Sequence, residues 1–190
     1  MVDSIINARG FKAKWALTFK GVLSFVLVAL AVALPQIVHL AAGSAGGMTW
    51  LPMYIPVVLG GLLLGWKWGL GIGILSPLVS FLITYAAGNP MPALARLPYM
   101  VVELSVFALI SGAFSKLSSK NPLFAFVGAI LAVLGGRLSF IVIAYIFQGV
   151  SSFSGALVWQ QILSSYPGML IIGLGLPLIS LLLYPLGKKE

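Results

Sequence analysis

Residues 21–66 read GVLSFVLVALAVALPQIVHLAAGSAGGMTWLPMYIPVVLGGLLLGW, a run with no Asp, Glu, Lys or Arg, broken only by His39 and a polar Gly/Ser patch. A membrane-crossing helix takes roughly 20 mostly apolar residues, so this stretch has room for two passes. The rest of the chain is built the same way. Of its 190 residues 11 are basic, 3 are acidic and 61% are hydrophobic, whereas about a quarter of the residues in a soluble domain are charged. So few polar groups could not cover the surface of a water-soluble fold. The charges mark where the chain leaves hydrocarbon. Lys67 to Arg96 holds one pass, Arg96 to Lys116 one more with Glu103 inside it, and Lys120 to Lys188 two, with Arg137 inside the first.

The sequence therefore predicts an all-α integral membrane protein, a single domain over residues 1–190 with six transmembrane helices at about 15–40, 51–66, 68–87, 97–117, 122–147 and 157–186, the last broken by Pro167, Gly168 and Pro177 and expected to kink within the bilayer or to begin outside it. A transmembrane barrel would need short alternating segments, and these runs are continuous. The first apolar run is long and shows no small-residue cleavage site, so it reads as a retained helix and not a signal peptide. Without cysteine, disulfides and thiolate ligands are excluded.

With the N-terminus in the cytoplasm, Arg9, Lys12, Lys14, Lys20, Lys67, Lys116, Lys120, Lys188 and Lys189 all fall inside, and Arg96 alone falls outside. Cytoplasmic loops carry the excess of Lys and Arg, so both termini are expected in the cytoplasm. The net charge of +8 is then a matter of orientation and anionic lipid contact, with no nucleic-acid partner expected. Three outer loops, about 41–50, 86–96 and 148–156, are rich in Gly, Ser and Pro; they read as flexible connectors, or as the place for a ligand-capturing lid.

Small residues recur four apart: Gly61 and Gly65, Gly69 and Gly73, Ala108 and Gly112, then Gly128, Ala132 and Gly136. That spacing lines one helix face and lets backbones approach, so these are expected to be internal packing faces. Ala29 and Ala33 make a further pair that fits either internal packing or a partner subunit.

Two charges lie inside predicted spans. Glu103 falls roughly 10 Å and Arg137 roughly 15 Å from the outer end, at 1.5 Å per residue. An unpaired charge at such depth costs at least ~2.5–3.5 kcal/mol. They are expected to pair with each other, to line a polar pocket, or to do both. His39, Trp50, Tyr54, Asn89, Arg96, Tyr145, Gln148, Trp159, Gln160 and Gln161 converge on the same level. Singly, each fits an interfacial belt or a loop end; together they suggest an outward pocket for a small amphipathic molecule. The expected substrate-binding set is Glu103, Arg137, Trp50, Tyr54, His39, Asn89, Arg96, Trp159 and Gln160. No catalytic residue, metal ligand or cofactor is expected, because one histidine and three acids cannot build the usual hydrolytic or metal sites, and no phosphate-binding loop is present.

The order of motifs LPMYIPVVLGGLLLG (51–65), GILSPLVSF (73–81), GNPMP (88–92) and VELSVFALISGAF (102–114) resembles the substrate-binding S components of energy-coupling factor (ECF) vitamin transporters. The likeness is to the branch carrying pantothenate, pyridoxine-like compounds, hydroxymethylpyrimidine and cobalamin. It covers about a third of the chain by motif, and the whole by length and span count. The resemblance implies a multi-pass protein of the bacterial plasma membrane that binds a vitamin or vitamin precursor with high affinity in an outward pocket. It further implies docking on a transmembrane coupling subunit served by two cytoplasmic ATPases, with the whole S component toppling during transport. Arg137 would then anchor an anionic or carbonyl group, and Glu103 would accept from the ligand or hold Arg137. Trp50, Tyr54 and Trp159 would form walls, and loop 41–50 would close over the ligand. Family members carry an Ala-x-x-x-Ala pair that docks the coupling subunit. Ala29 and Ala33 match its spacing but stand late in the helix, and Gly21 and Ser24 are alternatives nearer the cytoplasm. A stand-alone proton-coupled carrier and an intramembrane enzyme using His39 are the competing readings.

Overall fold

The computed structural model describes Val2, Ile6 and residues 13–147 and 155–183. Among these there is no strand. Helix α1 spans Ala13–Trp50, with one non-helical residue, Gly43, at φ 67° and ψ −171°. A short break containing Leu51, at φ 50°, leads into α2 (Tyr54–Leu64), and Gly65 turns the chain at φ 87° into α3 (Trp66–Ala86). A single 3₁₀ turn (Leu94–Arg96) opens α4 (Leu97–Ala113), which continues as α5 (Ser115–Lys120). Next come α6 (Leu123–Ile146), α7 (Gly155–Ser164) and α8 (Tyr166–Leu170), then a π-helical turn (Ile171–Gly175) and α9 (Leu176–Leu183).

Five helices are long and apolar enough to cross a membrane: Lys14–Gly43, Ala45–Leu64, Trp66–Ala86, Leu94–Lys120 and Leu123–Ile146. The bent pair Val158–Ser164 and Tyr166–Ile179 makes a sixth if it counts as one span. One expectation changes here. The loop expected at 41–50 is absent. Gly43 turns the chain in one residue by taking a backbone angle that costs glycine nothing, and Ala45–Trp50 is already helical, so the second crossing starts at Ala45 instead of Leu51. The last run is interrupted where its prolines and Gly168 break it. It bends by 57° at Ser165, just before Pro167 in the first turn of α8. A second proline, Pro177, cannot donate to the carbonyl of Gly173, and the π turn stands directly in front of it. The expected loop 148–156 lies mostly outside the described residues, Gln148 included.

The core is held by close backbone approach, as befits helices surrounded by apolar chains. Helix α4 is central, packed against α2, α3 and α6. A Cβ on Gly69 would come within 2.8 Å of the Cα of Gly61, and one on Gly73 within 2.8 Å of the Leu104 carbonyl. Gly112 lies against the backbone of Trp66, Gly128 against Phe114 and Gly136 against the Phe107 ring. The repeated small residues are thus internal packing faces, and Gly65, whose own backbone lies against Gly112, also makes the turn. Helix α1 is peripheral. It buries Leu27 and Ala31 but exposes Trp15, Phe19, Phe25, Leu30, Ile37 and Leu40. Ala29 and Ala33 are on its exposed side, whereas Gly21 and Ser24 are half-buried.

Candidate functional site

The two charges buried in apolar helices meet. Helices α4 and α6 run antiparallel, and the bare Cα atoms of Gly135 and Gly136 let α6 close onto Ile110 and Phe107. One helical position further along, Arg137 Nη1 donates to Glu103 Oε1 at 2.8 Å. The Tyr54 hydroxyl of α2 donates to the other carboxylate oxygen at 2.5 Å. Arg137 Nη2 donates to Ser165 Oγ at 2.9 Å, and the Ser165 hydroxyl itself donates to the Ile162 carbonyl at 3.0 Å. The guanidinium also stands 5.6 Å from the centre of the Tyr54 ring, within cation–π range. Phe107 meets Tyr54 edge to face at 5.1 Å and fixes the phenol. Three helices, α2, α4 and α6, and the turn between α7 and α8 thus converge on one buried polar knot.

Glu103 is 1% exposed and Arg137 8%. Charges so buried persist only when paired and hydrogen-bonded. Both carboxylate oxygens have donors, and two of the three guanidinium nitrogens have acceptors. The third, Arg137 Nε, has no partner among the described residues.

This knot borders a cavity of about 280 Å³, at the lower edge of the roughly 300–1,000 Å³ typical of small-molecule sites. Its walls come from Pro35 and His39 on α1, from Gly47, Met48 and Leu51–Tyr54, from Ser80 on α3 and from Met91–Ala93. Arg96, Tyr99, Met100, Glu103, Arg137, Phe140, Gln161 and Ser165 complete them. These positions lie at the end of the bundle away from Lys67, Lys116 and Lys120, which flank the Gly65 turn and the α5–α6 connection.

The segment between α3 and α4 is tied down. The Met91 amide donates to Thr84 Oγ1 at 2.7 Å, and the Ser80 hydroxyl donates to the Met91 carbonyl at 2.8 Å. These bonds hold Met91 and Pro92 against the cavity, so this part of the expected flexible loop is pinned. On the opposite wall, Gly168 lets α8 approach the Thr49 and Trp50 backbone, which steadies the helical segment 45–50.

Of the residues singled out in the sequence, His39, Tyr54, Arg96, Glu103, Arg137 and Gln161 line the cavity together. Trp50, Asn89, Trp159 and Gln160 do not. Trp50 and Trp159 expose their side chains. Asn89 is an exposed turn residue whose amide caps α3 through the Thr84 carbonyl at 3.0 Å. Gln160 points away while its neighbour Gln161 faces in. Sequence reading missed Ser165, the methionines and Phe140. Comparison with protein-family profiles, characterised sequences and solved structures finds no match to this chain.

Proposed function

We propose that this chain is the substrate-binding subunit of a membrane importer of the ECF S-component type, capturing a vitamin-sized nutrient in the cavity floored by Glu103 and Arg137. In this reading the chain crosses the membrane six times, the bent α7–α9 run being the last crossing. Both termini are cytoplasmic and the cavity opens to the outside of a bacterial plasma membrane. The observation that carries the reading is the cavity itself: apolar walls with a few convergent polar groups, the usual composition of a small-molecule site. The lysines at the opposite end support the orientation. The resemblance of the motif order to S components supports the division of labour, in which a coupling subunit and two ATPases supply the energy. The closing element is then not a loop at 41–50. The helical segment Ala45–Trp50, bounded by Gly43 and Leu51, takes that place.

The test is expression with and without a candidate coupling subunit and ATPase pair, followed by affinity purification and uptake in proteoliposomes. The proposal expects a stable complex and uptake that requires ATP. Uptake by this chain alone, driven by a proton gradient, would replace it with a stand-alone carrier.

A further inference from the structure

One edge of Arg137 is half used. Nε and Nη2 of a guanidinium lie along the same edge and present two parallel donors. Here Nη2 donates to Ser165 Oγ at 2.9 Å. Nε, on a side chain only 10% exposed, has no partner among the described residues. Arg137 and Ser165 both line the cavity. A buried donor without an acceptor is costly, and a ligand in the cavity can supply that acceptor. The charge of Arg137 is already matched, because Nη1 pairs with Glu103 at 2.8 Å. One free donor beside a matched charge suits a single neutral oxygen. A carboxylate placed there would give up its hydration for one hydrogen bond, and it would share the guanidinium with the carboxylate of Glu103.

Gln161 stands beside this edge. It lies four positions before Ser165, whose amide donates to the Gln161 carbonyl at 3.1 Å, so the two share one helical face, and both line the cavity. A glutamine carboxamide donates and accepts. The corner therefore offers a donor, Arg137 Nε, next to an acceptor, the side-chain oxygen of Gln161. An amide presents the complementary pair on adjacent atoms. Met48, Met53, Met91 and Met100 also line the cavity, four of the chain's 6 methionines, and Phe140 joins them. Thioethers form an adaptable apolar surface that makes favourable contacts with aromatic rings. Resting on the binding-site reading above, we propose that the ligand is a neutral carboxamide or lactam with an apolar or aromatic body. Its carbonyl accepts from Arg137 Nε beside Ser165, its N–H donates to Gln161, and its body rests against the methionines.

The experiment uses the full chain in phosphatidylcholine nanodiscs and three near-isosteric probes. These are 3-phenylpropionamide, 3-phenylpropionate, and 4-phenylbutan-2-one, which keeps the carbonyl but has a methyl group in place of the amide nitrogen. Affinities are measured by calorimetry for the wild type, Ser165→Ala and Gln161→Met. The amide should bind the wild type at least about tenfold more tightly than the acid, and about threefold to tenfold more tightly than the ketone, the worth of one hydrogen bond. Ser165→Ala frees Nη2 and turns the edge into a two-donor fork that fits a carboxylate, so it should narrow the gap between amide and acid. Gln161→Met should bring amide and ketone together. An acid that binds the wild type as tightly as the amide overturns the neutral-ligand proposal and leaves the binding-site reading standing. An unchanged amide-to-acid gap in folded Ser165→Ala overturns the role given to the Arg137 edge, and an unchanged amide-to-ketone gap in folded Gln161→Met overturns the role given to Gln161. If a variant fails to fold, the ranking of the three probes on the wild type decides alone. Binding of none of the three overturns the binding-site reading, and this inference with it.

Discussion

At the scale of single residues, the molecule turns on Glu103 and Arg137. Breaking a buried pair leaves an uncompensated charge, which costs about 3–5 kcal/mol, whereas removing both charges costs much less. Glu103→Gln and Arg137→Gln should each lower the unfolding midpoint in detergent strongly, and the double variant should lose well under the sum of the two. Additive losses would mean that the 2.8 Å contact contributes no coupling. Tyr54→Phe removes one donor from a carboxylate and should cost about 1.5–3 kcal/mol by the same measurement. The pair was legible in the sequence because a charge inside an apolar run has few affordable surroundings. Ser165 was not, because a serine is common in such runs and its role depends on the 57° bend that brings it to Arg137. Gln160 and Gln161 were both named, and the expected binding set took Gln160 alone for a related reason. Neighbouring positions on a helix point about 100° apart, and nothing in the local sequence sets the phase.

At the scale of elements, glycine spacing sets how closely α2, α3 and α4 pack. Two glycines of α3 make a controlled comparison. A Cβ at Gly73 would sit 2.8 Å from the Leu104 carbonyl, while one at Gly71 meets nothing within 4 Å. Gly73→Ala should destabilise by about 1–3 kcal/mol. Gly71→Ala should be neutral or add up to about 1 kcal/mol through helix propensity. Thermal unfolding of both variants checks this, and equal effects would contradict the packing described. The helices themselves could be read from the charge-free runs. The start of the second crossing could not, because Ala-Gly-Ser-Ala-Gly-Gly reads as a loop by composition. Within hydrocarbon the backbone must satisfy its own hydrogen bonds, which drives even such a segment into helix, and Gly43 alone makes the turn.

At the scale of the whole molecule, the polarity is simple: among the described residues, Lys67, Lys116 and Lys120 stand at one end and the cavity toward the other. The proposed orientation can be read directly because the chain has no cysteine, so a single introduced thiol is the only label site. Asn89→Cys, in the turn after α3, should react with an impermeant maleimide added to intact cells. Asn121→Cys, between α5 and α6, should react only after the membrane is opened. The reverse pattern would invert the topology. The central claim is that the cavity beside Glu103 and Arg137 holds a small molecule. Mass spectrometry of what is released from the purified wild type and from Met100→Trp, which fills the cavity, tests it most directly. The account predicts one defined compound at close to one per wild-type chain, absent from a folded Met100→Trp. No stoichiometric compound from the wild type, or the same compound from both, would contradict it.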